Sequence, residues 1–348
     1  MNPYMFIVMI SSLVAGTLIT ISSSHWLLAW MGLEISTFAI LPLMAQKHYP
    51  RAMEASIKYF IIQTTAATML LFASISNAWL SGQWDIQQMN HPLPLAMATI
   101  ALALKMGLAP MHAWFPEVLQ GLNLTTGLIL STWQKLAPFS LILQISSANT
   151  TLLTILGLTS ILVGGWGGLN QTQLRKILGY SSVAHLGWMI LILQFSPSLA
   201  LLAFLTYVLM TFSMFNVLLA KKATTMNSLA TSWTKIPMLA AITPLILLSL
   251  GGLPPLTGFL PKWMILLELT KQEMMPTATV AALSALLSLY FYLRISYAAA
   301  LTTPPNNLPA TLPWRINFTK TTTLMAISST LSLLLLPISP SMLAFFWY

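Results

Sequence analysis

Five ionisable side chains stand out in a chain otherwise poor in charge: Glu34, Lys105, Lys135, His185 and Lys262. Each sits in an apolar run. Glu34 is in HWLLAWMGLEISTFAILPLM, Lys105 in LAMATIALALKMGLAPMHAWFPE, Lys135 in TTGLILSTWQKLAPFSLI and His185 in RKILGYSSVAHLGWMILI, while Lys262 follows GGLPP. A charge at hydrocarbon depth costs ~2.5–3.5 kcal/mol on insertion scales, and such groups usually mark ion or proton paths. Burial disfavours the charged form of an acid or a base, so amines and carboxylates stripped of water can trade protons near neutral pH. Two unit charges about 10 Å apart at an effective dielectric near 20 interact by about 1.7 kcal/mol. Moving a proton against 100 mV costs about 2.3 kcal/mol. One distant neighbour is therefore too weak to drive transfer, and a row of alternating sites is favoured over a single carrier.

A bland reading competes at every one of these positions. Glu34 and a lysine can form a structural ion pair. Lys105 and Lys135 can be packing devices held by backbone carbonyls, and Lys262 can snorkel to an interface. His185 can be a neutral core histidine bonded to Ser181 or Ser182. His112 and Glu117 can simply satisfy the end of an interrupted helix. The run Gly164-Gly165-Trp166-Gly167-Gly168 lacks the strand and spacing of a phosphate loop, and close helix packing accounts for it.

The elements that must hold these groups are membrane spans. Of the 348 residues, 57% are hydrophobic and 6% charged, against about 25% charged in soluble domains. At about 20 apolar residues per span, the expected spans are 4–21, 25–45, 55–80, 95–117, 123–147, 152–169, 175–195, 198–220, 237–268, 276–300 and 322–345. The fold class is therefore all-α and polytopic, with eleven transmembrane helices. Two spans should be broken: the fourth at Gly107–Pro110 beside Lys105, and the ninth at Gly251-Gly252-Leu253-Pro254-Pro255 before Lys262. Proline removes a backbone donor and clashes with the preceding turn, and broken backbone at membrane depth is tolerated only against protein or a wet cavity. The break is fourth in each of two sets of five spans. An odd number per set makes the second set inverted, and paired broken helices in inverted halves are the best sequence pointer to a transport path. The expected organisation is a membrane domain over 1–300 (repeats 1–147 and 152–300), a linker at 301–321 and a final helix within 322–348.

Loop charge sets the orientation. On the N-terminal side lie Lys47, Arg51, Arg175, Lys176, Lys221, Lys222, Lys235, Arg315 and Lys320, and on the other side Lys271. That bias puts the N-terminal side inside, on the cytoplasm or matrix. The net charge of +9 is scattered among loops, so it is no nucleic-acid footprint. The start, MNPYMFIVMISSLVAGTLITI, has no basic n-region or convincing cleavage site, and it is expected to be a retained helix. With no cysteine in the chain, disulfides and iron–sulfur ligation are excluded. His25, His48 and His91 fall at helix ends or in loops, so no pair of deep histidines is available for haem.

The stretches WMGLEIS, LKMGLAPMHAWFPEVLQG, STWQKLAP, RKILGYSSVAHLGWM and GGLPPLTGFLPKW resemble the antiporter-like proton-translocating subunits of respiratory complex I. The resemblance covers essentially the whole chain. It implies two inverted five-helix repeats, with Glu34 as the modulating glutamate, Lys105 as its lysine and Lys135 as the central connecting lysine. His185 would lie on a hydrated axis, and Lys262 would end the path. It also implies that NADH, FMN, iron–sulfur clusters and ubiquinone are handled by other subunits, with no cofactor and no metal site in this chain. The implied partners are other membrane subunits and lipids, and the implied location is the mitochondrial inner membrane, N-terminus in the matrix. Bacterial relatives have fourteen helices, so the chain would lack the first three. A stand-alone cation/proton antiporter is the alternative that the same residues would serve.

Overall fold

In the computed structural model, the described residues are all except 1–2, 47–48, 90, 146–149, 235–236, 301–321, 339–340, 342–343 and 345–348, with backbone alone for 233–234, 237 and 322. The expected linker at 301–321, with Arg315 and Lys320, lies outside them, as do Lys47, His48 and Lys235. Every named element is a helix, and among the described residues β-pairing is limited to two isolated bridges, His25–Asp85 and Gln173–Thr225.

The chain divides into two compact units, Met1–Ser160 and Ile161–Tyr348. The first holds α1 (Pro3–Ser22), α2 (Trp26–Met44), α3 (Pro50–Ser81), α4 (Pro92–Met106), α5 (Trp114–Gly121), α6 (Leu124–Ser131) and α7 (Leu136–Ile145). The helix α8 (Thr150–Gly167) begins in the first unit and ends in the second. The second unit continues with α9 (Leu174–Leu193), α10 (Pro197–Lys221), α11 (Met226–Ala230), α12 (Pro237–Gly251), α13 (Phe259–Lys271), α14 (Met275–Ala300) and α15 (Thr322–Leu334). Seven of these, α1, α2, α3, α8, α9, α10 and α14, are long and apolar enough to cross a membrane.

Lipid supplies no hydrophobic drive between helices, so small residues that let backbones approach carry much of the packing. In α1 and α2, a Cβ on Gly16 would lie 2.7 Å from the Gly32 carbonyl oxygen. In the second unit, a Cβ on Gly164 would lie 2.6 Å from the Ala184 nitrogen, and one on Gly168 would lie 2.8 Å from the Phe291 ring. The glycine run is thus a packing surface.

Both expected breaks are present and are built alike. Gly107 (φ +78°) ends α4 and Gly252 (φ +79°) ends α12. At the first, the Leu108 N–H reaches back to the Ala103 carbonyl at 3.0 Å; at the second, the Leu253 N–H reaches the Leu248 carbonyl at 3.3 Å. This is the left-handed glycine stop that recovers terminal carbonyls, and the prolines that follow prevent the helix from resuming.

Three expectations need correction. The span 123–147 is not continuous: α6 stops at Ser131, a 3₁₀ turn covers Trp133–Lys135, and α7 starts at Leu136. Pro138 has no N–H to offer the Gln134 carbonyl four residues back, and its ring crowds that carbonyl. The third span begins at Pro50, not 55, because proline is tolerated at the first helical position, which brings Arg51 into α3 rather than a loop. The fourth span is broken as expected but runs wider than 95–117: α4 starts at Pro92 and α5 runs on to Gly121.

Candidate functional site

In the first unit, three of the sequence-selected residues come together. Glu34 on α2 and Lys105 in the last turn of α4 form an ion pair, Oε1 to Nζ 3.5 Å, with side chains 14% and 2% exposed. The break positions this lysine: where α4 stops, the Lys105 backbone carbonyl is left without a helical partner, and the Gln63 amide of α3 donates to it at 3.3 Å. Lys135 is buried in the 3₁₀ turn with its ammonium 4.5 Å above the centre of the Phe115 ring. A cation over an aromatic face is stabilised by about 2 kcal/mol or more when desolvated. Gln134, its neighbour, donates to the Ser36 carbonyl on α2 at 3.0 Å and so anchors the turn.

Lys105 and Lys135 line one small cavity of ≈ 10 Å³ with Gln63, Tyr59, Thr37 and Gln134. Two amine donors and a set of neutral hydroxyls and amides on one wall can hold and reorient a proton. None of those four neutral groups was selected from sequence, since a single Gln or Tyr in an apolar span carries no local signal of facing a cavity.

In the second unit, His185 on α9 and Lys262 in the first turn of α13 line a small cavity of ≈ 10 Å³ together with Thr206 and Met210 of α10. The Lys262 ammonium donates to the Gly251 carbonyl at 2.8 Å. It thus caps the severed end of α12, where the helix dipole favours a cation. Its stem crosses Gly252 so closely that a Cβ there would lie 2.9 Å from the Lys262 Cδ. A backbone carbonyl thus holds the Lys262 ammonium, the kind of partner weighed in sequence for Lys105 and Lys135. Ser181 and Ser182 donate to the Leu178 and Gly179 carbonyls at 2.8 and 2.7 Å, and His185 lies beside Tyr207, ring centroids 5.6 Å apart.

Of the break residues, His112 Nδ1 lies 3.2 Å from the Pro110 carbonyl. Glu117 instead pairs with Lys58, which also bridges Glu54, both at 2.8 Å and all three more than 40% exposed. Sequence reading passed over two further charges, Lys58 itself and Arg294, which donates to the Leu169 carbonyl at 2.7 Å. Lys221, read as a loop charge, lies in the last turn of α10, buried and bonded to the Thr243 hydroxyl at 3.1 Å. Among the described residues no three His, Cys, Asp or Glu side chains converge.

Residues 23–288 match the family model for the NADH:quinone oxidoreductase/Mrp antiporter transmembrane region, and 289–343 match that for the NADH dehydrogenase subunit 2 C-terminus. The chain is 65% identical over 346 residues to a NADH-ubiquinone oxidoreductase chain 2 of Tetraodon nigroviridis, covering 99% of both. It is 65% identical over 344 residues to one of Gadus morhua, again covering 99% of both. Among solved structures it resembles a chain of the respiratory complex I from Thermus thermophilus with bound aureothin (TM-score 0.82, 27% identity), covering 97% of this chain and 80% of that one.

Proposed function

The chain belongs to the NADH:quinone oxidoreductase/Mrp antiporter family, as a chain 2 subunit of NADH-ubiquinone oxidoreductase, and from that premise we propose that it conducts protons through its buried charges while redox chemistry proceeds in other subunits. Glu34, Lys105 and Lys135 serve the first unit; His185 and Lys262 serve the second. Glu34 holds a proton on Lys105, and loss of that partner releases it toward Lys135 through the shared cavity. The observation that carries this reading is the pairing of Lys105 with both a carboxylate at 3.5 Å and a cavity that Lys135 also lines.

The proposed frame is eleven spans, in two inverted repeats over 1–147 and 152–300, followed by the linker at 301–321 and a final helix within 322–348. The matching glycine stops at Gly107 and Gly252 support it, as does the pattern of broken spans. The N-terminus is placed in the matrix and the C-terminus on the intermembrane side of the mitochondrial inner membrane, supported by the basic residues gathered on one side. Partners are the other membrane subunits and lipid. NADH, FMN, iron–sulfur clusters and ubiquinone belong to those other subunits, consistent with a chain that has no cysteine.

The test replaces Lys135→Met and Glu34→Gln in the assembled complex and measures protons moved per electron. Both should lower the ratio. An unchanged ratio in both variants places the path elsewhere.

A further inference from the structure

One charge of the second unit stands apart from the proton groups. Arg294, near the C-terminal end of α14, is exposed. Its Nη1 donates to the Leu169 carbonyl at 2.7 Å, in the turn between α8 and α9. That bond anchors the guanidinium, and among the described residues Arg294 makes no other hydrogen bond and no ion pair. Most of its planar fork of donors is therefore open to a ligand.

The second unit has little to offer it. Its carboxylate side chains are Glu268 and Glu273. Both precede α14, and Glu268 already pairs with Lys271 at 3.6 Å. Arg294 lies about 28 Å further along α14 at 1.5 Å per residue.

Other cations gather at the same end. The Leu174 N–H donates to the Thr224 carbonyl at 3.1 Å and the Met226 N–H to the Thr172 carbonyl at 3.2 Å. These bonds fasten the turn after α10 to the turn that Arg294 holds. Exposed Lys222 is thus brought beside Arg175 and Lys176 in the first turn of α9.

The surroundings are those of a membrane–water boundary. Tyr290 and Tyr297 are spaced to flank Arg294 on one side of α14, and each is more than half exposed. Trp166, in the last turn of α8, is 75% exposed, and its carbonyl accepts the Leu169 N–H at 3.1 Å. Tryptophan and tyrosine collect where the bilayer meets water. Further back on α14, Leu283 and Leu286 are also more than half exposed, an apolar surface suited to acyl chains. A phosphodiester meets a guanidinium in bidentate fashion. An acidic protein segment would answer the charge but not the apolar surface that continues from it.

We propose that Arg294 is a binding site for the phosphate headgroup of an anionic phospholipid, with Lys222, Arg175 and Lys176 supplying further attraction and Tyr290, Tyr297 and Trp166 setting its depth. This rests on the reading of lipid as a partner of a membrane subunit and is independent of the proton path.

The test uses the assembled complex in nanodiscs that carry phosphatidylglycerol with a photoreactive headgroup, against phosphatidylcholine with the same group. Labelled peptides spanning 166–176 and 290–297 are quantified by mass spectrometry. Phosphatidylglycerol should label them more strongly. Each basic residue near an anionic lipid contributes enough that Arg294→Gln should lower that labelling about fivefold, with phosphatidylcholine labelling and protons moved per electron unchanged. Equal labelling by the two lipids, or no change in Arg294→Gln, overturns the site. Carbodiimide crosslinking of Lys176 or Lys222 to a carboxylate of another subunit, with neither lipid labelling the segment, assigns the cluster to a protein partner and overturns it too. Failure of an acyl-chain photoprobe to label Leu283 or Leu286 overturns the reading of this surface as lipid-facing. If Arg294→Gln does not assemble, Lys176→Gln and Lys222→Gln carry the same readout, and unchanged labelling in both overturns the proposal.

Discussion

Lys105 and Glu34 stand 71 residues apart in sequence and 3.5 Å apart in space, in the interior of the first unit. An ion pair so enclosed is worth little against a matched apolar pair, yet breaking it by removing one partner costs about 3–5 kcal/mol, because the other charge is left alone. Glu34→Gln and Lys105→Met should therefore each reduce the amount of assembled complex. The double variant should recover assembly while pumping stays lost. Native-gel quantification together with proton-to-electron ratios separates the two effects, and a double variant no better assembled than the singles would show that the pair does not couple.

Lys58 provides the contrast. It bridges Glu54 and Glu117 at the surface, 42% exposed against 63% and 53%. Pairs of this kind contribute little, since water and salt screen them. Lys58→Gln should leave assembly and proton-to-electron ratio at wild-type values under the conditions that expose the Lys105 defect. A pumping loss in Lys58→Gln would move the functional site to this surface cluster.

Two left-handed glycines should respond differently to a methyl group. A Cβ added at Gly82 (φ +71°) would have nothing within 4 Å, whereas at Gly252 (φ +79°) the Lys262 stem would lie 2.9 Å away. Both Gly→Ala changes incur the backbone cost of about 1–2 kcal/mol for a left-handed non-glycine residue. Only Gly252→Ala should also push Lys262 off the Gly251 carbonyl and reduce pumping. Equal pumping per assembled complex in the two variants would mean that the position of this lysine is unimportant.

Phe115 should matter for its ring and not for its bulk alone. Its face carries the Lys135 ammonium at 4.5 Å, a contact worth about 2 kcal/mol where water is excluded. Phe115→Tyr keeps the face, while Phe115→Leu removes it. The tyrosine variant should pump as wild type and the leucine variant less well, measured as proton uptake per assembled complex. Equal losses in the two would attribute the effect to packing.

What local chemistry dictates could be read without coordinates. Span-length apolar runs, the glycine–proline pairs that stop α4 and α12, and the rarity of charge all follow from residue type and spacing, because helix stops and hydrocarbon solubility are properties of short stretches. The third interruption was harder to see. Pro138 precedes no glycine stop, and Pro42 and Pro244 lie inside α2 and α12 without ending them. A proline therefore opens the option of a break, and the packing around it decides.

Which charges meet was decided only by tertiary structure. Lys221 and Lys222 are adjacent and chemically identical, yet the first turns inward to Thr243 while the second adopts φ +53° and stays in the open. Glu34 could have paired with any lysine in the first unit, and Lys262 could have reached for an interface in place of the Gly251 carbonyl. A buried charge has to find a partner wherever it lands, and the composition of the chain determined that such partners must exist. Their identity depends on which helix faces come together, and that is set by long-range packing of small residues such as Gly16 against Gly32 and Gly164 against Ala184, a relation that sequence spacing does not encode.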